Sequence, residues 1–136
     1  MSKERGSSMK GDQFISEVRN LAELDSNEEA EKATRATLET LKERLAGSEP
    51  SNLAAQLPPE IARYVDGEGG RESFSVDEFY ERVAQREGVS QDEAVKHARA
   101  VATVVQTAVT GGEVDDVRSQ LGNDYEELFG QAGASA

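Results

Sequence analysis

Asp12-Gln13-Phe14-Ile15-Ser16-Glu17-Val18 returns, with conservative changes, as Asp77-Glu78-Phe79-Tyr80-Glu81-Arg82-Val83. The likeness continues in order along the chain. Ser26-Asn27-Glu28-Glu29-Ala30-Glu31-Lys32 matches Ser90-Gln91-Asp92-Glu93-Ala94-Val95-Lys96, and Arg35-Ala36 matches Arg99-Ala100. Gly47 and Glu49 match Gly111 and Glu113, and Gln56-Leu57 matches Gln120-Leu121. Ile61, Tyr64 and Val65 then correspond to Tyr125, Leu128 and Phe129. The offset is 65 positions before the first short loop and 64 after it, so a single one-residue deletion aligns the copies. An ordered self-match of this length marks a duplicated structural unit.

Each copy reads as helix, long helix, short helix, short helix. Phe14, Ile15, Val18, Leu21 and Ala22 recur at the spacing of one helical face, and Phe79, Tyr80, Val83 and Ala84 repeat that stripe. The second helix carries Ala30, Ala33, Leu38, Leu41 and Leu45 in copy one, and Ala94, Ala98, Val101, Val105 and Val109 in copy two. Ala102, Val104 and Ala108 widen the second arc, so the helix from about Gln91 to Thr110 is expected to be the more buried. Ser26 with Glu29, Ser75 with Glu78, and Ser90 with Glu93 read as capping boxes, and Phe74 with Phe79 as a hydrophobic staple. Gly47 and Gly111 are expected as left-handed residues closing the long helices. Short helices are expected at 50–56, 59–65, 113–121 and 124–129, the last with Asn123 as N-cap.

The resulting expectation is an all-α fold: one helical-bundle domain, residues 12–129, from two tandem repeats related by a pseudo-twofold axis. Repeat one covers 12–65, a Gly-rich flexible linker 66–74, and repeat two 75–129, with disordered ends at 1–11 and 130–136. A unit of this size buries too little surface to stand comfortably alone, which favours one shared core over two separate ones.

Composition narrows the function. The chain has 136 residues, no Cys and no Trp, and carries fifteen Lys and Arg against twenty-seven Asp and Glu, a net charge of −12. Without Cys there is no disulfide framework, thiolate metal site or thiolate catalysis. Such a surface repels phosphate backbones, so no nucleic-acid partner is expected. No membrane span or secretory h-region is found, which makes the cytoplasm the expected compartment. The acidic, Lys-poor surface also suits a halophilic source.

With these motifs laid out, the chain resembles the prokaryotic family of domain of unknown function 2267. The likeness rests on Asp12-x-Phe14, Ala30 through Leu45, Leu53-Ala54-Ala55-Gln56-Leu57-Pro58, Asp77-Glu78-Phe79 with Arg82-Val83-Ala84, Val117-Arg118-Ser119-Gln120-Leu121, and Leu128-Phe129. The second copy departs from the Gln-Leu-Pro signature with Gln120-Leu121-Gly122. The resemblance implies an all-α, two-repeat cytoplasmic protein. It brings no activity, catalytic residue or cofactor.

The residues themselves offer no catalytic, cofactor-binding or metal set. His97 is the sole histidine, which suits a structural or surface role better than catalysis. The linker lacks the pattern of a phosphate loop, and as a calcium loop it has Arg71 where Gly is needed and Asp77 where a bidentate Glu is needed. Adjacent carboxylates such as Glu28-Glu29 and Asp115-Asp116 sit near helix N-termini, where the dipole stabilises them. Gln56 and Gln120 are expected to satisfy backbone groups at helix ends. Two functions follow as expectations. The first is a non-enzymatic protein-interaction or scaffold module, acting on a protein partner or on itself, with Ile15 and Tyr80 testing for an exposed docking face. The alternative is a small-ligand or anion binder, extending to an enzyme, in a groove between the repeats built from Arg35, Arg99, His97, Gln56 and Gln120.

Overall fold

A computed structural model describes residues 9–129, and with them eight α-helices, one 3₁₀ turn and no strand among the described residues. The helices are α1 (Gly11–Ala22), α2 (Asn27–Arg44), α3 (Glu49–Ala54), α4 (Pro59–Ala62), α5 (Val76–Glu87), α6 (Gln91–Ala108), α7 (Gly111–Ser119) and α8 (Glu126–Phe129), the 3₁₀ turn being Asn123–Tyr125. They pack into one bundle. The four longer helices form its body: α1 and α5 each lie against both α2 and α6, and the long pair α2 and α6 touch each other. The short helices close one end, where α3 meets α7. The expected disorder of 1–8 and 130–136 lies outside the described residues. Met9 to Gly11, assigned to that N-terminal segment by the sequence, join the structured chain: Met9 is buried and α1 opens at Gly11.

Apolar periodicity explains the body. Phe14, Ile15, Val18 and Ala22 are buried from α1, and Phe79, Tyr80 and Val83 from α5. Leu21 breaks the expected stripe and is 51% exposed. It lies about 60° round the helix from Val18, at the edge of the arc. Phe79 packs edge-on against Tyr80 and Tyr125, with ring centroids 6.2 Å and 5.7 Å away. Buried Tyr125 keeps its hydroxyl satisfied by donating to the Phe74 carbonyl at 2.8 Å.

The two long helices are more alike in burial than their composition suggests. Eight of eighteen residues are buried in α2 and nine of eighteen in α6. What differs is chemistry. Thr34, Thr37 and Thr40 occupy positions that copy two fills with Ala98, Val101 and Val104. Thr40 donates to the Ala36 carbonyl and accepts from Arg86, while the hydroxyls of Thr34 and Thr37 have no partner among the described residues.

Helix starts follow the expected caps. Ser26, Ser75 and Ser90 accept from the amides of Glu29, Glu78 and Glu93 at 3.1, 3.2 and 3.1 Å. The returning Glu half of the box is not made in the same way: Glu29 accepts from Asp25, and Glu78 pairs with Arg82. Helix ends depart from expectation. Both long helices stop at an extended residue, Leu45 or Val109, whose amide still reaches back four residues. Gly47 is left-handed (φ 61°), two residues beyond that stop, whereas Gly111 is helical. The reason is Thr110, whose hydroxyl caps α7 through the Glu113 amide and draws Gly111 into the helix. Copy one has Ala46 at that position. Without a hydroxyl to cap, α3 starts later and runs six residues against the nine of α7. Asn123 makes no side-chain cap and instead begins the 3₁₀ turn.

The Gly-rich segment that reads as a flexible linker is docked along the C-terminal end of α2. The amides of Gly69, Gly70, Arg71 and Glu72 donate to the carbonyls of Gly47, Lys42, Leu45 and Glu43 at 2.9–3.0 Å. These bonds satisfy carbonyls that a helix end leaves without partners. Glycine is required for the approach: a Cβ on Gly69 would lie 2.2 Å from the Leu45 carbonyl oxygen.

Candidate functional site

Three places hold chemistry that packing alone does not demand. The first is a hollow of ≈ 330 Å³ lined by Leu24, Glu29 and Lys32 from copy one and by Glu87, Gly88, Val89, Glu93 and His97 from copy two. The end of α5 and the first turns of α6 supply His97 and Glu87, which are 5% and 4% exposed. His97 Nδ1 and Glu87 Oε2 share a hydrogen bond of 2.5 Å. Glu87 Oε1 is buried with no partner among the described residues. In copy one the corresponding positions are Ala22 and Ala33, both buried. The sequence match thus sets two buried alanines opposite this ionisable pair.

A second place is the contact of α3 with α7. Glu49 and Glu113, equivalent in the two copies, are 9% and 7% exposed and face each other there. One carboxylate oxygen of each lies within 4.8 Å of the other and of Asp116, which is exposed. Burial, reinforced by the facing Glu49 carboxylate, which the protonated form can hydrogen-bond and whose charge repels the ionised one, pushes the Glu113 carboxyl up to about 8. Glu113 is free to point here because another residue does its usual work. In a capping box the N3 Glu reaches back to the N-cap amide. Here the Thr110 amide donates to Gln56 Oε1 at 2.8 Å instead. The corresponding amide in copy one, Ala46, donates to Gln120 Oε1 at 2.9 Å. Each glutamine thus closes the break after the other copy's long helix.

The third is a shallow groove of ≈ 370 Å³ between α1 and α6, lined by Leu21, Val95, Ala100 and Thr103 with Asp92, Lys96 and Arg99. Leu21 is the one large hydrophobic side chain exposed among the described residues. Lys96 pairs with Glu23 at 2.9 Å, and no ion pair of Arg99 is found among the described residues.

These positions separate the five residues that the sequence groups in one groove. His97 lines the first hollow and Arg99 the third groove. Arg35 is largely exposed, pairs with Glu39 at 3.0 Å, and borders a different depression with Lys32, Ala36, Glu39 and Arg86. Gln56 and Gln120 are engaged with backbone amides, in line with the structural role expected of them. Sequence reasoning did not single out Glu87 or the Glu49–Glu113 contact as sites. The signals were present in the alignment, as a Glu opposite Ala22 and as a Glu shared by both copies after the long helix.

A helical bundle of eight helices with no strand among the described residues defines the class of protein. The chain belongs to the family described as uncharacterized conserved protein (DUF2267), whose profile matches residues 11–128. A search of curated proteins gives no match. No helix among the described residues is long and apolar enough to cross a membrane.

Proposed function

We propose that this protein is a non-enzymatic small-ligand binder, and that the hollow over the His97–Glu87 pair takes a small polar molecule bearing a cationic group. The observation that carries the reading is the substitution of a buried ionisable pair for the buried alanines of the other copy. Burying charge costs free energy unless it is paired, and copy one indicates that the fold does without it. The Glu87 carboxylate lines the hollow beside His97, and Glu29 and Glu93 add negative charge at the rim. Lys32 suits a carboxylate on the same ligand. Ser, Thr and Cys are absent from the lining, which favours binding over nucleophilic catalysis. Titrating ethanolamine, putrescine, lysine and betaine into ¹⁵N-labelled protein tests it. Amide shifts should centre on residues 24–32 and 87–97 and vanish in Glu87→Gln. Silence from the whole set, or shifts that survive the substitution, would remove the reading.

The second reading is the interaction or scaffold module, with the α1–α6 groove as its docking face. Ile15 and Tyr80 do not support it, being 9% and 2% exposed. Leu21 does, because it adjoins Val95 and Ala100 and is flanked by Lys96 and Arg99 on an otherwise acidic protein. A partner for such a groove is an amphipathic helix with an acidic edge. Leu21→Glu should abolish cross-linking to that partner; a protein that stays monomeric and captures nothing leaves the groove without a role.

A further inference from the structure

We propose that Glu49, Glu113 and Asp116 form a site for one hard divalent cation that ties α3 to α7. Three carboxylate oxygens within 4.8 Å of one another match the spacing of ligands around a single ion coordinated at about 2.0–2.6 Å. An acidic cluster alone would say little on a chain with twenty-seven Asp and Glu. The distinguishing fact is burial without partners. Glu49 Oε2 and Glu113 Oε2 are both inaccessible and lack any hydrogen-bond partner among the described residues, in side chains more than nine-tenths buried. Buried carboxylate oxygens are normally satisfied, so orphans on two carboxyls that face each other call for something between them.

The donor set names the chemistry. Carboxylates without His or Cys suit Ca²⁺, Mg²⁺ or Mn²⁺ rather than Zn²⁺ or Cu²⁺. Asp116 stands at the exposed edge and leaves an opening for entry and for water ligands. The positive ends of α3 and α7 stabilise carboxylates near their first turns, and this weakens the pull on a cation. Two glutamates held a few ångströms apart outweigh it, because like charges at that distance in a partly dehydrated site repel strongly. A proton shared between Glu49 and Glu113 is the competing solution to the same repulsion.

The experiment separates the two. Protein freed of metal by chelation is titrated with Mn²⁺ while ¹⁵N amide signals are followed, and with Ca²⁺ and Mg²⁺ by calorimetry and thermal melting. The site predicts that substoichiometric Mn²⁺ broadens amides of residues 49–52 and 112–117 before all others, and that the cations raise the melting temperature. Glu113→Gln and, from the opposite helix, Glu49→Gln should each weaken binding by about tenfold or more. Glu126→Gln, which alters an acidic residue paired with Arg118 elsewhere on the surface, should leave it unchanged. Broadening spread evenly over the acidic surface, or responses retained in both glutamine variants, would overturn the site. So would the absence of any response in the wild type, which would assign the pair to proton sharing.

Discussion

Replacing Glu113 by Gln should stabilise the metal-free protein, and the gain should grow with pH. The folded-state carboxyl titrates at about 8 against an ordinary value of 4.5. Such a group contributes its full stability below about 4.5, where it is protonated in both states, and that contribution is lost as pH rises through about 8. Forcing the group to ionise in the folded state costs at most about 5 kcal/mol. The carboxyl lies near the surface despite its small exposed area, and water and side-chain relaxation lower the cost; about 2 kcal/mol is the expected size. Gln keeps the shape and can still donate to Glu49, but it cannot ionise. Urea unfolding followed by circular dichroism in a chelating buffer should give near-equal stabilities at about pH 4.5 and a gap of about 2 kcal/mol at about pH 9, with thermal midpoints about 8 °C apart. A gap of constant size across that range would refute the assignment. A variant less stable at high pH would refute the repulsion itself.

Thr37→Val, which copies Val101, removes a buried hydroxyl without a partner and should raise stability by about 1 kcal/mol in equilibrium denaturation. Gly69→Ala places a methyl against the Leu45 carbonyl and should cost about 2 kcal/mol or more, with faster hydrogen exchange at the amides of 69–72 as its local signature. Gln120→Ala leaves the Ala46 amide without its acceptor and should cost about 1 kcal/mol in thermal unfolding. Gln56→Ala should cost less than Gln120→Ala, because Glu113 can swing back to the Thr110 amide; the pH dependence of stability assigned to Glu113 should then shrink.

The body of the bundle was legible because a 3.6-residue period is written into side chains that must be buried together. Phe14, Val18, Phe79 and Val83 all follow it, and Ser26, Ser75 and Ser90 mark where α2, α5 and α6 begin. The ends of the long helices were less legible, since glycine signals a stop only where no better cap competes. Thr110 outbid Gly111, and the difference between Thr110 and Ala46 set the lengths of α7 and α3. Leu21 shows the same limit at the rim of a stripe, where period predicts direction but not whether a neighbour reaches that far. The candidate sites were hidden for another reason. Glu87 and His97 stand ten residues apart on different helices, and Glu49 and Glu113 meet only when α3 packs on α7. In a chain with so many acids, nothing local distinguishes a carboxylate bound for the interior from one bound for water.

What makes the interior carboxylates intelligible is a division of labour at the closed end of the bundle. A glutamate three residues past an N-cap ordinarily spends its side chain on that cap's amide. Gln56 takes over that amide for α7, and Gln120 serves the matching amide before α3. The exchange releases Glu113 to turn inward, and Glu49 meets it from α3. Gln56 could have been spared by letting Glu113 cap locally, with that acid then in water at no desolvation cost. Two buried acids instead stand together where a neutral pair would be cheaper. That expense is unexplained by helix capping or by core packing, both of which are complete without it, and it is intelligible if a cation occupies the space between them.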